Sequence, residues 1–382
     1  MYKKRFFARP KRRNKSFDPR HLVGQVTDSQ ESVSVIDEIK HKFSEFSISE
    51  ELKKNILDRG YEIPTPIQDK VIPEILNGKD VVGIANTGTG KTAAFLIPLI
   101  DKVIKNNHEK VLIVAPTREL ATQIDKELKS FVKNLKISSV ICIGGVSINP
   151  QISNLYKKPN FVIGTPGRLI DLFEQRKLNF FEYSTIVLDE VDRMLDMGFI
   201  HSVNMIISKL PNGRQSLFFS ATLDQKTSPI MARFIKNPLL ISVKTRETSS
   251  NVEQQVVEIK GRNKADVLIE ILDNREVEKS IVFVRTKHGA DNLSRSLYTI
   301  GFKTAVLHGN KTQNQRQKSL ESFRVGAVNI MIATDVASRG IDVANITHVI
   351  NFDLPETRDD YVHRIGRTGR ANKKGFAISL VE

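Results

Sequence analysis

Short, β-branched apolar runs alternate with amphipathic helical stretches along most of the chain. In the first half the runs are Val81–Ala85, Val111–Ala115, Val140–Ile143, Phe161–Gly164, Thr185–Leu188 and Ser216–Ser220. Several are apolar at nearly every position, the pattern of strands covered on both faces of a parallel sheet. Helical periodicity fills the intervals, for example over Lys91–Ile104 and Glu119–Asn134. Such alternation predicts a doubly wound α/β domain. The pattern breaks in the polar stretch Lys244–Asn251, which suits a linker, and then restarts. The second series is Gln255–Ile259, Ser280–Val284, Thr304–Leu307, Asn329–Ala333, His348–Asn351 and Phe376–Val381. The expected organisation is an arm over residues 1–39, an α/β domain over 40–244, a linker over 245–251 and a second α/β domain over 252–382.

Composition adds constraints. With 382 residues the chain can build two full cores. No apolar run approaches the roughly 18 residues of a membrane-spanning helix, so no membrane association is expected. The single cysteine, Cys142, rules out an internal disulfide and fits a reducing compartment such as the cytoplasm. Its place in an apolar run marks it as packing rather than chemistry. Net charge is +15, and much of it is concentrated at one end. Residues 1–20 carry nine basic side chains against one acid, Asp18. A basic arm of this kind is attracted to polyanions. An Arg-rich, acid-poor start also fits a transit peptide, less well because it is Lys-rich too. No secretory signal is expected, since no apolar core follows the basic residues.

Two motifs carry the chemistry. The run Val81–Ala85 leads into Asn86-Thr87-Gly88-Thr89-Gly90-Lys91-Thr92, with a helix behind it. Strand, glycine loop and helix together form the context of a phosphate-binding loop. Gly88 and Gly90 let backbone N–H groups approach phosphate, and the helix offers the positive end of its dipole. Lys91 is placed to reach the β- and γ-phosphates of ATP, and the Thr92 hydroxyl to ligate Mg²⁺. The strict pattern has glycine where Ala85 stands. About a hundred residues on, Ile186-Val187-Leu188-Asp189-Glu190-Val191-Asp192 sets acids at the end of a buried strand, where α/β sheets bind ligands. Asp189 suits Mg²⁺, in part through water, with Glu190 beside it. Glu190 is also the candidate to orient the attacking water.

These residues resemble the DEAD-box RNA helicases, with valine at the third tetrad position in place of the usual alanine. The resemblance runs over about residues 43–382. It includes Pro64-Thr65-Pro66-Ile67-Gln68, Pro116-Thr117-Arg118-Glu119-Leu120-Ala121, Gly144-Gly145, Thr165-Pro166-Gly167-Arg168 and Ser220-Ala221-Thr222. Later come His308-Gly309, the stretch from Ala333 to Asp342, and His363-Arg364-Ile365-Gly366-Arg367-Thr368-Gly369-Arg370.

The resemblance implies two RecA-like domains with ATP between them. Gln68 would read adenine through its amide donor and acceptor, and Phe43 would stack on the base, although core packing suits that ring equally. Ala85, Asn86, Thr87, Gly88, Thr89, Gly90, Lys91 and Thr92 would hold the phosphates. Asp342 would take the ribose hydroxyls. Arg367 and Arg370 would be arginine fingers, and His363 would link them to the tetrad. RNA would lie, through its sugar–phosphate backbone, on Pro116, Thr117, Arg118, Gly144, Gly145, Thr165, Pro166, Arg168, Gly309 and Thr334. Asp192, Ser220 and Thr222 would couple nucleotide state to strand separation. The expected activity is ATP-dependent RNA unwinding by a monomeric core. An ATP-dependent RNA clamp, a DNA-directed motor and a plain phosphate-loop ATPase are the competing readings.

Overall fold

The computed structural model describes residues 39–86, 88–222, 227, 231–232, 234–235, 237–243, 251–335, 343, 345–369 and 373–382. They fall into two units, one holding residues 39–243 and the other 251–335, 343 and 345–382 of that set.

The N-terminal unit is built on seven strands: β1 (Val81–Ile84), β2 (Val111–Val114), β3 (Ser139–Cys142), β4 (Phe161–Gly164), β5 (Thr185–Leu188), β6 (Gln215–Ser220) and β7 (Leu239–Ser242). All pair in parallel, in the order β3-β4-β2-β5-β6-β1-β7. Both faces are covered. In β2, Val111 and Ile113 enter one core cluster, while Leu112 and Val114 enter the other, and none of the four is exposed. Burial on this scale is worth about 1.5–3 kcal/mol per large apolar side chain. Helices α1 (Glu50–Leu57), α2 (Pro66–Leu76), α3 (Lys91–Lys105), α4 (Arg118–Phe131), α5 (Asn149–Leu155), α6 (Pro166–Glu174), α7 (Val191–Asp196) and α8 (Ile200–Ser208) connect and cover the strands. Helix starts follow capping chemistry: Thr65 and Gln68 form a capping box for α2, and Thr117 Oγ1 accepts from Leu120 N–H for α4. Strand β7 was not anticipated. Three of its four residues are partly or well exposed, so it lacks the apolar signature that marks the inner strands.

The C-terminal unit has six parallel strands: β8 (Val252–Glu258), β9 (Ser280–Phe283), β10 (Thr304–Leu307), β11 (Ile330–Ala333), β12 (His348–Asn351) and β13 (Gly375–Val381). Their order is β10-β11-β9-β12-β13-β8. Helices α9 (Lys264–Leu272), α10 (Lys287–Thr299), α11 (Gln313–Arg324) and α12 (Arg358–Ile365) complete it. Both units are thus parallel-sheet α/β domains, as the alternation predicts. Because all strands of a sheet run the same way, every loop that follows a strand lies along one edge. No helix among the described residues is long and apolar enough to cross a membrane.

Candidate active site and nucleic-acid interface

The loop after β1 is shaped by its glycines. Gly88 and Gly90 adopt φ of 86° and 91°, a region that side chains resist. At Gly90 a Cβ would also lie 2.4 Å from Gln68 Nε2. That close approach has a purpose: Gln68, only 2 % exposed, donates from Nε2 to the Gly90 carbonyl at 3.1 Å and accepts from Thr65 N–H at 2.9 Å. Each end of its amide keeps one further valence, a second N–H and a second lone pair. Thr89 Oγ1 closes the loop onto the Asn86 carbonyl at 2.8 Å. Ala85 N–H donates to the Ser220 carbonyl at 3.1 Å, tying the loop to the end of β6. Lys91 opens α3, and Thr92 follows it, half-buried. The Lys91 ammonium is buried, and its Nζ has no hydrogen-bond partner among the described residues. A buried cation without a partner is costly unless an anion meets it.

The acids stand at the end of β5. Asp189 and Glu190 are both buried. Glu190 is the left-handed N-cap of α7, φ 52° and ψ 56°, with its N–H on Asp189 Oδ1 at 3.0 Å. Strained non-glycine backbone of this sort is retained where it places a side chain for work. Burial pushes the Asp189 carboxyl up to about 7, Lys91 pulls the other way, and the neighbouring Glu190 and Asp192 carboxylates add to the rise.

The third acid points elsewhere. Asp192 Oδ2 accepts from Ala221 N–H at 3.0 Å and from Thr222 N–H at 3.2 Å. A continuous chain of contacts thus runs from the loop after β1 through Ser220 and Ala221–Thr222 to Asp192 and back to the acids. Arg193, 7 % exposed, was missed by sequence reasoning, yet its guanidinium pairs with Glu190. The i,i+3 spacing on α7 was readable, but such spacing is common on helix surfaces and says nothing of burial.

Further along the same edge, two arginines settle on one loop. Arg118 lies against the turn after β3: a Cβ on Gly145 would be 1.9 Å from its NH1, and one on Gly144 3.5 Å from NH2. Gly145 also needs φ of 74°. Arg168 donates from NH2 to the Val146 carbonyl at 3.2 Å and pairs with Asp171 at 3.3 Å. Pro116 and Thr117 are buried behind Arg118, and Thr165 and Pro166 are buried at the start of α6. Cys142 is buried beneath this surface, and desolvation raises its thiol to about 12 against the pull of Arg168. It is packing, as its pattern implied.

Phe43 departs from expectation. It is 1 % exposed, edge-on to Phe46 at 5.7 Å and Tyr61 at 5.9 Å. A ring so enclosed by protein has no face for a base, so of the two readings core packing is the one the structure supports. Asp69, also missed, pins the chain before it by accepting from the N–H groups of Lys40 and His41 at 3.0 and 3.1 Å.

In the C-terminal unit, Arg364 on α12 is the structural anchor. Its Nε and NH2 bind both oxygens of Asp335 at 2.6 Å, and NH1 donates to Asn351 Oδ1 at 3.0 Å and to the Asp353 carbonyl at 2.6 Å. This fixes the helix that carries His363, half-buried, and leads to Arg367, which is 7 % exposed. Thr334 N–H donates to the Leu307 carbonyl at 3.2 Å, joining the ends of β10 and β11 beside Gly309. His308 is buried, with Nδ1 accepting from Asn310 N–H and Nε2 facing Asp291 at 3.0 Å. Thr87, Asp342 and Arg370 lie outside the described residues.

Residues 65–230 match the DEAD/DEAH box helicase family model, and residues 263–372 match the helicase conserved C-terminal domain. The ATP-dependent RNA helicase CshA of Listeria monocytogenes is 46 % identical over 345 residues, 89 % of this chain and 66 % of that protein. The DEAD-box ATP-dependent RNA helicase CshA of Geobacillus kaustophilus is 45 % identical over 89 % of this chain and 73 % of its own length. The chain thus spans a little under two thirds of the length of several of the relatives it matches, 65 % in Bacillus cereus. Among solved structures, S. cerevisiae Dbp5 bound to RNA and ADP BeF3 superposes with a TM-score of 0.80 at 29 % identity, covering 90 % of each chain. The DEAD-box helicase Mss116 bound to ssRNA and UDP-BeF gives 0.80 at 30 %, covering 89 % of this chain and 75 % of that one. With both family models matched in order and relatives this similar along most of its length, the chain belongs to the DEAD/DEAH box helicase family.

Proposed function

We propose that this chain is an ATP-dependent RNA helicase, an RNA-stimulated ATPase that separates short duplexes or remodels RNA–protein complexes. One observation carries the reading: a buried Lys91 ammonium with no hydrogen-bond partner among the described residues, beside two buried acids, Asp189 and Glu190, at one sheet edge. A triphosphate satisfies the lysine. Relatives named as ATP-dependent RNA helicases, and similar structures that contain RNA and a nucleotide analogue, support the choice of substrate.

In this reading, Asn86, Thr87, Gly88, Thr89 and Gly90 wrap the phosphates, with Ala85 anchoring the loop. Gln68 spends its two free valences on adenine. Mg²⁺ would be held by Thr92, Asp189 and Glu190, and when bound it neutralises charge on the phosphate oxygens. Mg²⁺ commonly takes one or two carboxylates and completes its shell with phosphate and water. Glu190 orients and deprotonates the attacking water, steered by Arg193. From the C-terminal domain, Arg367 and Arg370 stabilise the transferring phosphoryl group, Asp342 takes the ribose and His363 relays to the tetrad Asp189-Glu190-Val191-Asp192. Guanidinium help of this kind is worth about 10³–10⁵ in rate, so hydrolysis should require both domains together.

RNA would cross Pro116, Thr117, Arg118, Gly144, Gly145, Thr165, Pro166 and Arg168 of the first domain, and Gly309 and Thr334 of the second. Backbone contacts of this type carry little sequence preference. ATP and RNA each favour the closed form, so each strengthens the other's binding. Asp192, Ser220 and Thr222 transmit nucleotide state to the strand-separating step. The working unit is a monomeric, cytoplasmic core with domains at 40–244 and 252–382, a linker at 245–251 and a basic arm at 1–39 that adds non-specific RNA affinity.

Glu190→Gln tests the catalytic assignment. The variant should bind ATP and RNA as the parent does while its turnover drops about 10²–10⁴-fold, the range for loss of a general base. Hydrolysis at the parental rate would remove Glu190 from that role.

A further inference from the structure

Strand β10 is the outermost strand of the C-terminal sheet. It pairs with β11 on one side and with no other described strand on the other. The Leu307 carbonyl accepts from Thr334 N–H, so it points towards β11. Strand alternation turns the backbone groups of Ala305 the same way and sends the N–H and C=O of Thr304 and Val306 outward. An open edge of this kind is a template for another strand.

Helix α11 lies beside that edge and leaves space. It turns Gln315, Lys318, Ser319 and Ser322 to the strand, the i, i+3, i+4, i+7 face that is normally apolar when a helix seats on a sheet. Only Gln313 and Phe323 of α11 are buried. Between helix and strand runs a groove of about 440 Å³. No carboxylate lines it. Lys311 at its rim is paired with Asp291 at 2.9 Å, but Lys318, and Lys303 just before the strand, are exposed and have no acidic partner among the described residues.

We propose that this groove docks an extended, acidic segment of a partner protein, which adds to β10 as a further strand. Its backbone would pair with Thr304 and Val306, and its carboxylates would meet Lys318 and Lys303. Polar side chains would find the Gln315 amide and the Ser319 and Ser322 hydroxyls. A nucleic acid would feel the same lysines but has no use for a strand edge, which favours the peptide. None of the residues that would pair with the segment serves the nucleotide or RNA sites described above.

The full chain can be titrated, by fluorescence anisotropy, with a labelled eight-residue peptide alternating valine and glutamate. Binding in the micromolar range is expected, with a loss of at least about tenfold, or 1.4 kcal/mol, in Lys318→Glu. Lys318 is exposed, so that variant should fold and keep the parental RNA-stimulated ATPase rate. The same peptide N-methylated at two adjacent central amides, which blocks one amide on each edge at unchanged charge, should bind at least about tenfold more weakly. Equal binding of the methylated peptide, or of Lys318→Glu, would overturn the proposal. So would displacement of the peptide by an eight-nucleotide oligouridine, which would make the groove an RNA contact. Binding that emerges only after residues 1–38 are removed would make the occupant the chain's own and overturn it equally.

Discussion

Gly145→Ala isolates the physical reason for the double glycine. The residue sits at φ 74°, where an alanine costs roughly 1–2 kcal/mol. Its new Cβ would lie 1.9 Å from Arg118 NH1 and 2.5 Å from Cζ, so the guanidinium must leave its place over the turn. If that guanidinium holds an RNA phosphate, the loss is one charge-assisted hydrogen bond, about 1.5–3 kcal/mol. RNA affinity should therefore fall about 10- to 150-fold. The slope of log affinity against log salt should become shallower by about 0.7, the value for one phosphate contact on a single strand. Anisotropy of a labelled oligouridine, titrated with a non-hydrolysable ATP analogue present over a salt series, reads both quantities. A double-mutant cycle sharpens the test. Arg118→Ala alone should cost a similar amount, and adding Gly145→Ala to it should cost little more, because no guanidinium remains to be displaced. Additive losses, or an unchanged salt slope in Gly145→Ala, would refute the reasoning.

Other outcomes follow from other contacts. Arg364→Met removes the ion pair to Asp335 and the hydrogen bonds to Asn351 and the Asp353 carbonyl, and should destabilise the C-terminal unit by at least about 1.5–3 kcal/mol, read from denaturant unfolding of the full chain. Asp192→Ala removes the acceptor that holds Ala221 and Thr222, so strand displacement should fall well below what the change in ATPase rate explains. Asp189 takes up a proton more readily folded than unfolded, its carboxyl rising from 3.8 to about 7, so nucleotide-free stability should fall as pH rises through that window. Asp189→Asn removes this penalty and should melt higher than the parent at pH 8, by a margin that narrows towards pH 5. Cys142, with its thiol pushed up to about 12, should resist a thiol reagent at pH 8 until the chain is denatured.

Much of the fold was legible because buried parallel strands advertise themselves. Phe161–Gly164, Thr185–Leu188, Thr304–Leu307 and His348–Asn351 form strands with the expected bounds, since each is a β-branched or aromatic run cut off sharply by polar or glycine residues. Elsewhere the ends shift by a residue or by three, as for β8, whose exposed Glu253 and half-buried Gln254 blur its start. Strand β7 was hidden because an exposed edge strand needs no apolar run. At the site, the positions of the glycine loop after β1 and of the acids after β5 were readable, because a strand–glycine–helix run and acids closing a buried strand both mark the end of a parallel sheet where ligands bind. Second partners were not. Arg193 on Glu190, Asp69 on the Lys40–His41 backbone and Arg364 on Asp335 depend on three-dimensional proximity that spacing does not encode. Phe43 illustrates the converse: the residue was noticed, and only its burial against Phe46 and Tyr61 tells that it packs rather than stacks.

The central claim is that hydrolysis at Lys91, Asp189 and Glu190 is switched on by RNA. Steady-state phosphate release by the parental chain, measured alone, with a single-stranded RNA and with DNA of the same sequence, tests it directly. A rise of at least about tenfold is expected with RNA, roughly 1.4 kcal/mol off the barrier, and little with DNA. Equal rates in all three conditions would contradict it.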